Sequence, residues 1–311
     1  MEKIILSLLI ITFLQPVPFP DYHSETEEVI HHLLPLTDKI IILDPGHGIN
    51  NDNRFLGYSE QETMLALANR IGPKLEDLGA TVHMTRSTPA NVNNFARAAY
   101  INKVALNLLR DQLLLDIYAA EERERYILRG ELDEIKRLTG ILQKIIADPE
   151  HYAPIYMNKP FDFGYHNRVI HPDLRQVFLL QNNPLIYERL LAISLHSNAS
   201  PSSYMHGADV YIISNRMPQL AIYFARYSHE ERSALFGDIL LDKISEAGLT
   251  RRSVINNKAF ILLREHNVPA VLVENGFHTN ARDRALLMDG NFLDRLALAY
   301  IEAILVYFNH R

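Results

Sequence analysis

Apolar residues along the chain fall into short unbroken runs separated by longer stretches of helical spacing, a pattern that predicts an α/β fold. Residues 40–43 (Ile-Ile-Ile-Leu) are a continuous run of buried-strand type, and the run stops at Asp44-Pro45-Gly46-His47-Gly48, where a tight turn must begin. Over residues 60–78, Met64, Leu65, Leu67, Ala68, Ile71, Leu75 and Leu78 keep helical spacing, and Gly79 stands at the C′ position. Residues 81–85 form the next short strand. Strand, helix and strand in this order imply a right-handed crossover with parallel pairing. Residues 191–195, 208–213 and 270–273 are further strand runs, and residues 228–247 and 291–308 are helical by spacing. The expected architecture is a single mixed, mostly parallel twisted sheet with helices on both faces and a helical insertion.

The ends and the middle of the chain divide it further. Residues 4–14 are apolar apart from Ser7 and Thr12, too short a stretch to span a bilayer but of signal-peptide length, and the Pro-rich residues 15–20 break any helix after it. Residues 1–20 are expected to be a signal peptide or N-terminal leader, with export to the periplasm or cell envelope and no stable transmembrane span. Residues 21–38 form a short helical extension in which Ser24 and Glu27 have capping-box spacing and Pro35 is the stop. One domain covers residues 39–311, interrupted at 103–190. Within that interruption, residues 103–146 are expected as one long or two hairpinned helices, with Leu132, Ile135, Leu138, Leu142 and Ile145 as an apolar stripe. Residues 148–183 are rich in Pro, Asn and aromatics, including Tyr152, Tyr156, Phe161, Phe163 and Tyr165. They form either an accessory layer whose aromatics pack or a lid over a cleft.

Composition narrows the chemistry. With 311 residues, 48% hydrophobic and 22% charged, the chain is an ordinary globular protein, and a net charge of −6 provides no basic surface for nucleic acid. Cysteine is absent, which excludes thiol nucleophiles, disulfides and thiolate-bound metal, so any metal must sit on His, Asp or Glu. His47, His196 and Glu274 each lie just beyond the carboxyl end of an apolar strand, the edge where open α/β sheets build active sites. Imidazoles and a carboxylate hold zinc firmly while leaving a position for water, and a further carboxylate off the metal can accept that water's proton. Glu274, among apolar neighbours that would raise its pKa, fits this acid-base role. A serine hydrolase built on Ser194 or Ser197 beside His196 would lack the Gly-x-Ser-x-Gly elbow.

The segments Ile41-Ile42-Leu43-Asp44-Pro45-Gly46-His47-Gly48, Ser194-Leu195-His196-Ser197-Asn198-Ala199 and residues 271–280 resemble, in order, the signature blocks of the type-3 N-acetylmuramoyl-L-alanine amidases. Residues 60–68 are similar to the helix whose first glutamate is that family's third zinc ligand, which selects Glu60. Glu62 lies about 200° further around the helix, so the two cannot both face one metal. The resemblance covers residues 39–102 and 191–311 and departs at Asn275 and His278. It implies one Zn2+ per chain on His47, Glu60 and His196, catalysis by Glu274, and peptidoglycan as substrate. The bond cut would be the amide between N-acetylmuramic acid and L-alanine, for cell-wall remodelling or daughter-cell separation. Arg86 and Arg97 are structural or substrate-positioning candidates, with Asn198 and His278 beside them as substrate or supporting residues. An activating envelope protein acting on residues 103–190 is a candidate partner. The alternative is a non-catalytic wall-binding or regulatory protein on the same scaffold, against which Glu274 argues.

Overall fold

The computed structural model describes residues 34–157, 171–213, 229–256 and 260–309. The predicted leader, most of the 21–38 extension, and Phe161, Phe163 and Tyr165 lie outside these residues. Six strands form one sheet: β1 (Ile40–Pro45), β4 (Thr81–Met84), β5 (Leu190–Asn198), β6 (Ala208–Ile212), β7 (Arg251–Asn256) and β8 (Ala270–Phe277). Their order is β4-β1-β5-β8-β6-β7, and a separate two-residue ladder joins β2 (Arg54–Phe55) to β3 (Tyr58–Ser59). All neighbours in the large sheet pair in parallel except β6 and β8, which run antiparallel. The sheet is mixed and mostly parallel, as expected.

Strand periodicity assigns each residue to a face. Ile41 and Leu43 of β1, Leu191, Ile193 and Leu195 of β5, and Val271 and Val273 of β8 enter one core with α1 (Glu60–Asp77), α7 (Glu230–Ala247) and α10 (Gly290–Asn309). Ile42, Ala192 and Leu272 enter the other core, beneath α2 (Asn94–Ala119), α3 (Glu122–Ala147), α4 (Pro149–Tyr156), α5 (Pro172–Leu180) and α6 (Pro184–Arg189). Asp44, Ser194, His196 and Glu274 share the parity of this second face. The sheet therefore aims all four the same way, next to α2.

The helical part of the insertion is a hairpin of α2 and α3. The stripe Leu132, Ile135, Leu138, Leu142 and Ile145 is buried in the second core, and Tyr152 and Tyr156 pack against it. This stretch of chain thus supplies much of the cover for one face of the sheet. The short α8 (Ile261–Arg264) and α9 (Ala281–Leu287) flank β8. The sequence pattern did not disclose β7, whose residues are half exposed and mostly polar, nor the β2–β3 ladder, nor the reversed direction of β6.

A buried polar seam ties this layer to the sheet. Gln181 donates to Asn102 Oδ1 (2.7 Å) and accepts from the Asn267 backbone (2.8 Å), while Asn102 donates to the Glu265 carbonyl (2.8 Å). Burial pushes the neighbouring His266 imidazole down to about 4 from 6.5. The unfolded chain takes up a proton on this ring below about pH 6.5 and the folded chain only near 4, so stability falls as pH is lowered through that window. Urea unfolding at pH 7 and pH 5 is expected to show wild type losing about 2 kcal/mol more than His266→Gln over that interval. Parallel losses would remove His266 from this role.

Candidate metal centre

The site is built on the turn that ends β1. Asp44 is buried and accepts from Thr85 Oγ1, Ser194 Oγ and Arg97 Nη1, the last at 2.7 Å. Burial opposes its charge, but Arg97 and the two hydroxyls outweigh burial and hold the carboxyl below its usual range. The chain then turns tightly: Gly46 N donates to the Leu195 carbonyl (2.8 Å), and a Cβ on Gly46 would collide with the His196 ring. His47 itself has φ +59°, a left-handed conformation that costs an L residue about 1–2 kcal/mol. Two arginines hold it there. Arg97 donates to the carbonyls of Val92, Pro45 and His47, and Arg86 to those of Pro45, Gly46 and Gln61.

His47 Nδ1 lies 2.7 Å from the Asn51 carbonyl. A carbonyl only accepts, so Nδ1 carries a proton, and Nε2 is the nitrogen turned toward the other site residues. Nε2 faces Glu60 Oε1 at 3.2 Å, and His196 Nδ1 lies 3.1 Å from the same oxygen. Glu60 opens α1, after the N-cap Ser59, and Asp52 accepts from Gln61 N (2.9 Å) and from Ser59 Oγ (2.7 Å) to secure the helix start. Glu60 is wholly buried, whereas the His47 and His196 side chains are 21% and 18% exposed, so the cluster opens to solvent only on the imidazole side. Oε1 also accepts from Ser197 N (2.9 Å) and Oε2 from Asn53 Nδ2 (2.6 Å). Burial opposes ionisation of Glu60, yet the two histidines outweigh it and keep the carboxyl far below its usual range. His196 is correspondingly held above its usual value, Glu60 outweighing burial. Glu62 points outward and pairs with Arg54.

One ligand atom from each of His47, Glu60 and His196 falls within 4.8 Å of the others, and among the described residues this is the one such group. With Nδ1 turned to the Asn51 carbonyl, Nε2 is the His47 nitrogen left to bind a cation, and it faces the same carboxylate oxygen as His196. Two nitrogens and an oxygen, without sulfur, suit zinc or a similar divalent ion. Glu274 stands next to this group, in register with His196 on one side and Asp209 on the other. Its Oε2 is enclosed and has no hydrogen-bond partner among the described residues. Burial, reinforced by Glu60, pushes its carboxyl up to about 7 against the pull of His196 and His47.

The remaining sequence candidates, Arg97, Asn198 and His278, are not members of this ligand group. Arg97 is buried and braces the turn, as above. Asn198 ends β5, its carbonyl accepting from His278 N (2.9 Å) and its Oδ1 from Ala199 N (2.8 Å). His278 is buried and stacked on Tyr58. Asn51, Asn53 and Tyr58 were not singled out by sequence, and Ser197 stood out only as a rival nucleophile within its signature block. The two asparagines sit in a polar loop with no periodic signal, while Tyr58 and Ser197 adjoin site residues in sequence but meet each other and Glu60 only in the fold.

Two ring nitrogens and a carboxylate at one point, with a second, nearly neutral carboxyl beside them, are the equipment of a metal-dependent hydrolase. Residues 41–112 and 165–306 match the N-acetylmuramoyl-L-alanine amidase family of type 3, and the chain belongs to it. It is 25% identical over 280 residues to the germination-specific N-acetylmuramoyl-L-alanine amidase of Bacillus subtilis, covering 89% of this chain and 83% of that protein. It is 27% identical to the amidase AmiA of Escherichia coli, covering 87% of this chain and 76% of AmiA. The fold is also that of an N-acetylmuramoyl-L-alanine amidase from Clostridium difficile 630, with a TM-score of 0.53 at 16% identity over 88% of this chain and 98% of the other. The unmatched residues 113–164 contain the far end of α2, all of α3 and α4.

Because Gly46 makes room for the His196 ring, Gly46→Ala is expected to weaken divalent-metal binding by about tenfold or more in equilibrium dialysis with Zn2+ as the probe. The circular dichroism spectrum should stay as in wild type. Unaltered binding would mean that the ring does not need this space.

Proposed function

We propose that this protein hydrolyses the amide bond between N-acetylmuramic acid and L-alanine in peptidoglycan, as an exported enzyme of the cell envelope acting in cell-wall remodelling or daughter-cell separation. One Zn2+ would be held by His47, Glu60 and His196, with Glu274 as the acid-base residue. The observation that carries this is the approach of His47, Glu60 and His196 to one point, with Glu274 on the adjoining strand. Family membership and the names of the relatives support the substrate class.

When bound, zinc supplies Lewis-acid polarisation of water and of the substrate carbonyl. Glu274 accepts the proton from the attacking water and delivers it to the departing alanine nitrogen as the carbon–nitrogen bond breaks. Burial, which lifts this carboxyl to about 7 in the metal-free site, favours its taking up a proton and giving it back. Asn53 and Ser197 hold the two oxygens of Glu60, and Asn51 holds the His47 ring in one tautomer.

Neither rival class has comparable support. Ser194 Oγ is committed to Asp44 and Ser197 Oγ to Tyr58 and His278, and both serines are buried, so neither is presented as a nucleophile. A protein that only bound the wall would gain nothing from an enclosed carboxyl oxygen without a partner, a burial that opposes folding. An envelope protein acting on residues 103–190 is the partner we propose. The CwlD amidase of Clostridioides difficile has been solved in complex with the GerS lipoprotein. Here the tip of the α2–α3 hairpin exposes Leu115, Tyr118, Tyr126 and Ile127. Among the described residues no helix is long and apolar enough to cross a membrane.

Purified protein is expected to carry one zinc per chain and to release stem peptides from sacculi in a chelator-sensitive manner. Glu274→Gln should keep the metal and lose about 10²–10⁴-fold in kcat. Release that persists in the variant or in excess chelator, or no release by zinc-loaded wild type, would overturn the assignment.

A further inference from the structure

Resting on the metal-centre reading above, we infer that Tyr58, Ser197 and His278 form a hydrogen-bonded brace that fixes Glu60 and thereby sets the affinity of the site for its metal. The Tyr58 hydroxyl donates to Ser197 Oγ (2.8 Å), and Ser197 Oγ is hydrogen-bonded to His278 Nδ1 (3.0 Å). The Tyr58 and His278 rings stack, with centroids 5.2 Å apart and planes 15° from parallel. Ser197 then presents its backbone N–H to Glu60 Oε1 at 2.9 Å, the oxygen that faces both histidines. Three parts of the chain meet here: β3, just before Glu60; β5, just after His196; and the end of β8, four residues past Glu274.

Each member of the trio is more than nine-tenths buried. Burying two hydroxyls and an imidazole is unfavourable unless each finds a partner, and Phe, Ala and Leu would fill similar space with no polar groups to satisfy. What the polar trio adds is direction. It ties the Ser197 side chain on one side, and its peptide N–H then points to the carboxylate on the other. The His278 backbone is itself anchored, its N–H on the Asn198 carbonyl (2.9 Å) and its carbonyl accepting from Arg284 Nη1 (2.9 Å). With Asn53 on Oε2, the carboxylate is gripped at both oxygens before any metal arrives. His278 and Tyr58 act through Ser197 and Glu60, so they are positioning residues, consistent with their seclusion from solvent.

The test compares wild type with His278→Leu, His278→Asn and Tyr58→Phe, each measured metal-free and metal-loaded. Zinc affinity is read by competition with a chromogenic chelator, site geometry by the visible absorption of the Co2+-substituted protein, and packing by the metal-free melting temperature. His278→Leu and Tyr58→Phe are expected to weaken zinc binding about 10- to 100-fold and to shift the Co2+ bands, with metal-free melting close to wild type. His278→Asn, which keeps a hydrogen-bonding atom near the Nδ1 position, should recover most of the affinity. Unchanged affinity and spectra in the Leu and Phe variants overturn the brace while leaving the metal centre standing. So does an affinity loss that merely tracks a loss of metal-free stability. A wild type that takes up no metal overturns both.

Discussion

A buried ion pair governs the architecture of the site. Asp44 and Arg97 meet at 2.7 Å with each side chain only 2% exposed, and stranding either charge by removing its partner would cost about 3–5 kcal/mol. The pair is tolerated because nearly every polar atom in it has further work. Asp44 gathers Thr85 after β4 and Ser194 of β5, while Arg97 reaches from α2 to the carbonyls around His47. Three neighbouring strands and one helix are thereby pinned at the point where β1 ends. The left-handed backbone of His47, unfavourable alone, becomes the conformation that satisfies the guanidinium.

The two site glutamates illustrate how environment separates like groups. Glu60 has two histidines, a backbone N–H and an amide around it, and it ionises easily despite being wholly buried. Glu274 has an enclosed oxygen with no donor, and it holds its proton to near neutrality. One carboxyl is thereby suited to permanent charge and the other to exchanging a proton.

What could be seen in the sequence follows the same physics. Strands buried on both faces are unbroken apolar runs, so β1, β5 and β8 and the residues at their ends stood out, including His47, His196 and Glu274. Glu60 did not follow from periodicity, since it sits at the first position of a helix with Glu62 close by; similarity of the helix to a known family chose it. The brace residues carried weaker signals. His278 drew notice as a departure from the family pattern four residues past Glu274, and Ser197 as a residue of the His196 block, but nothing local marks Tyr58 or links the three, which meet across more than 80 residues of chain. The direction of β6 also escaped, because pleat and burial are alike in parallel and antiparallel strands.

Arg97 lies in the first turn of α2, and the exposed Leu115 and Tyr118 lie in its last turns. A helix of 26 residues is a rod about 39 Å long. The guanidinium that seats the His47 backbone and the outer tip of the insertion are therefore carried on one continuous helix. Twenty-one residues of helix separate Arg97 from Tyr118, so a partner seated on the tip would stand roughly 30 Å from the turn that carries His47.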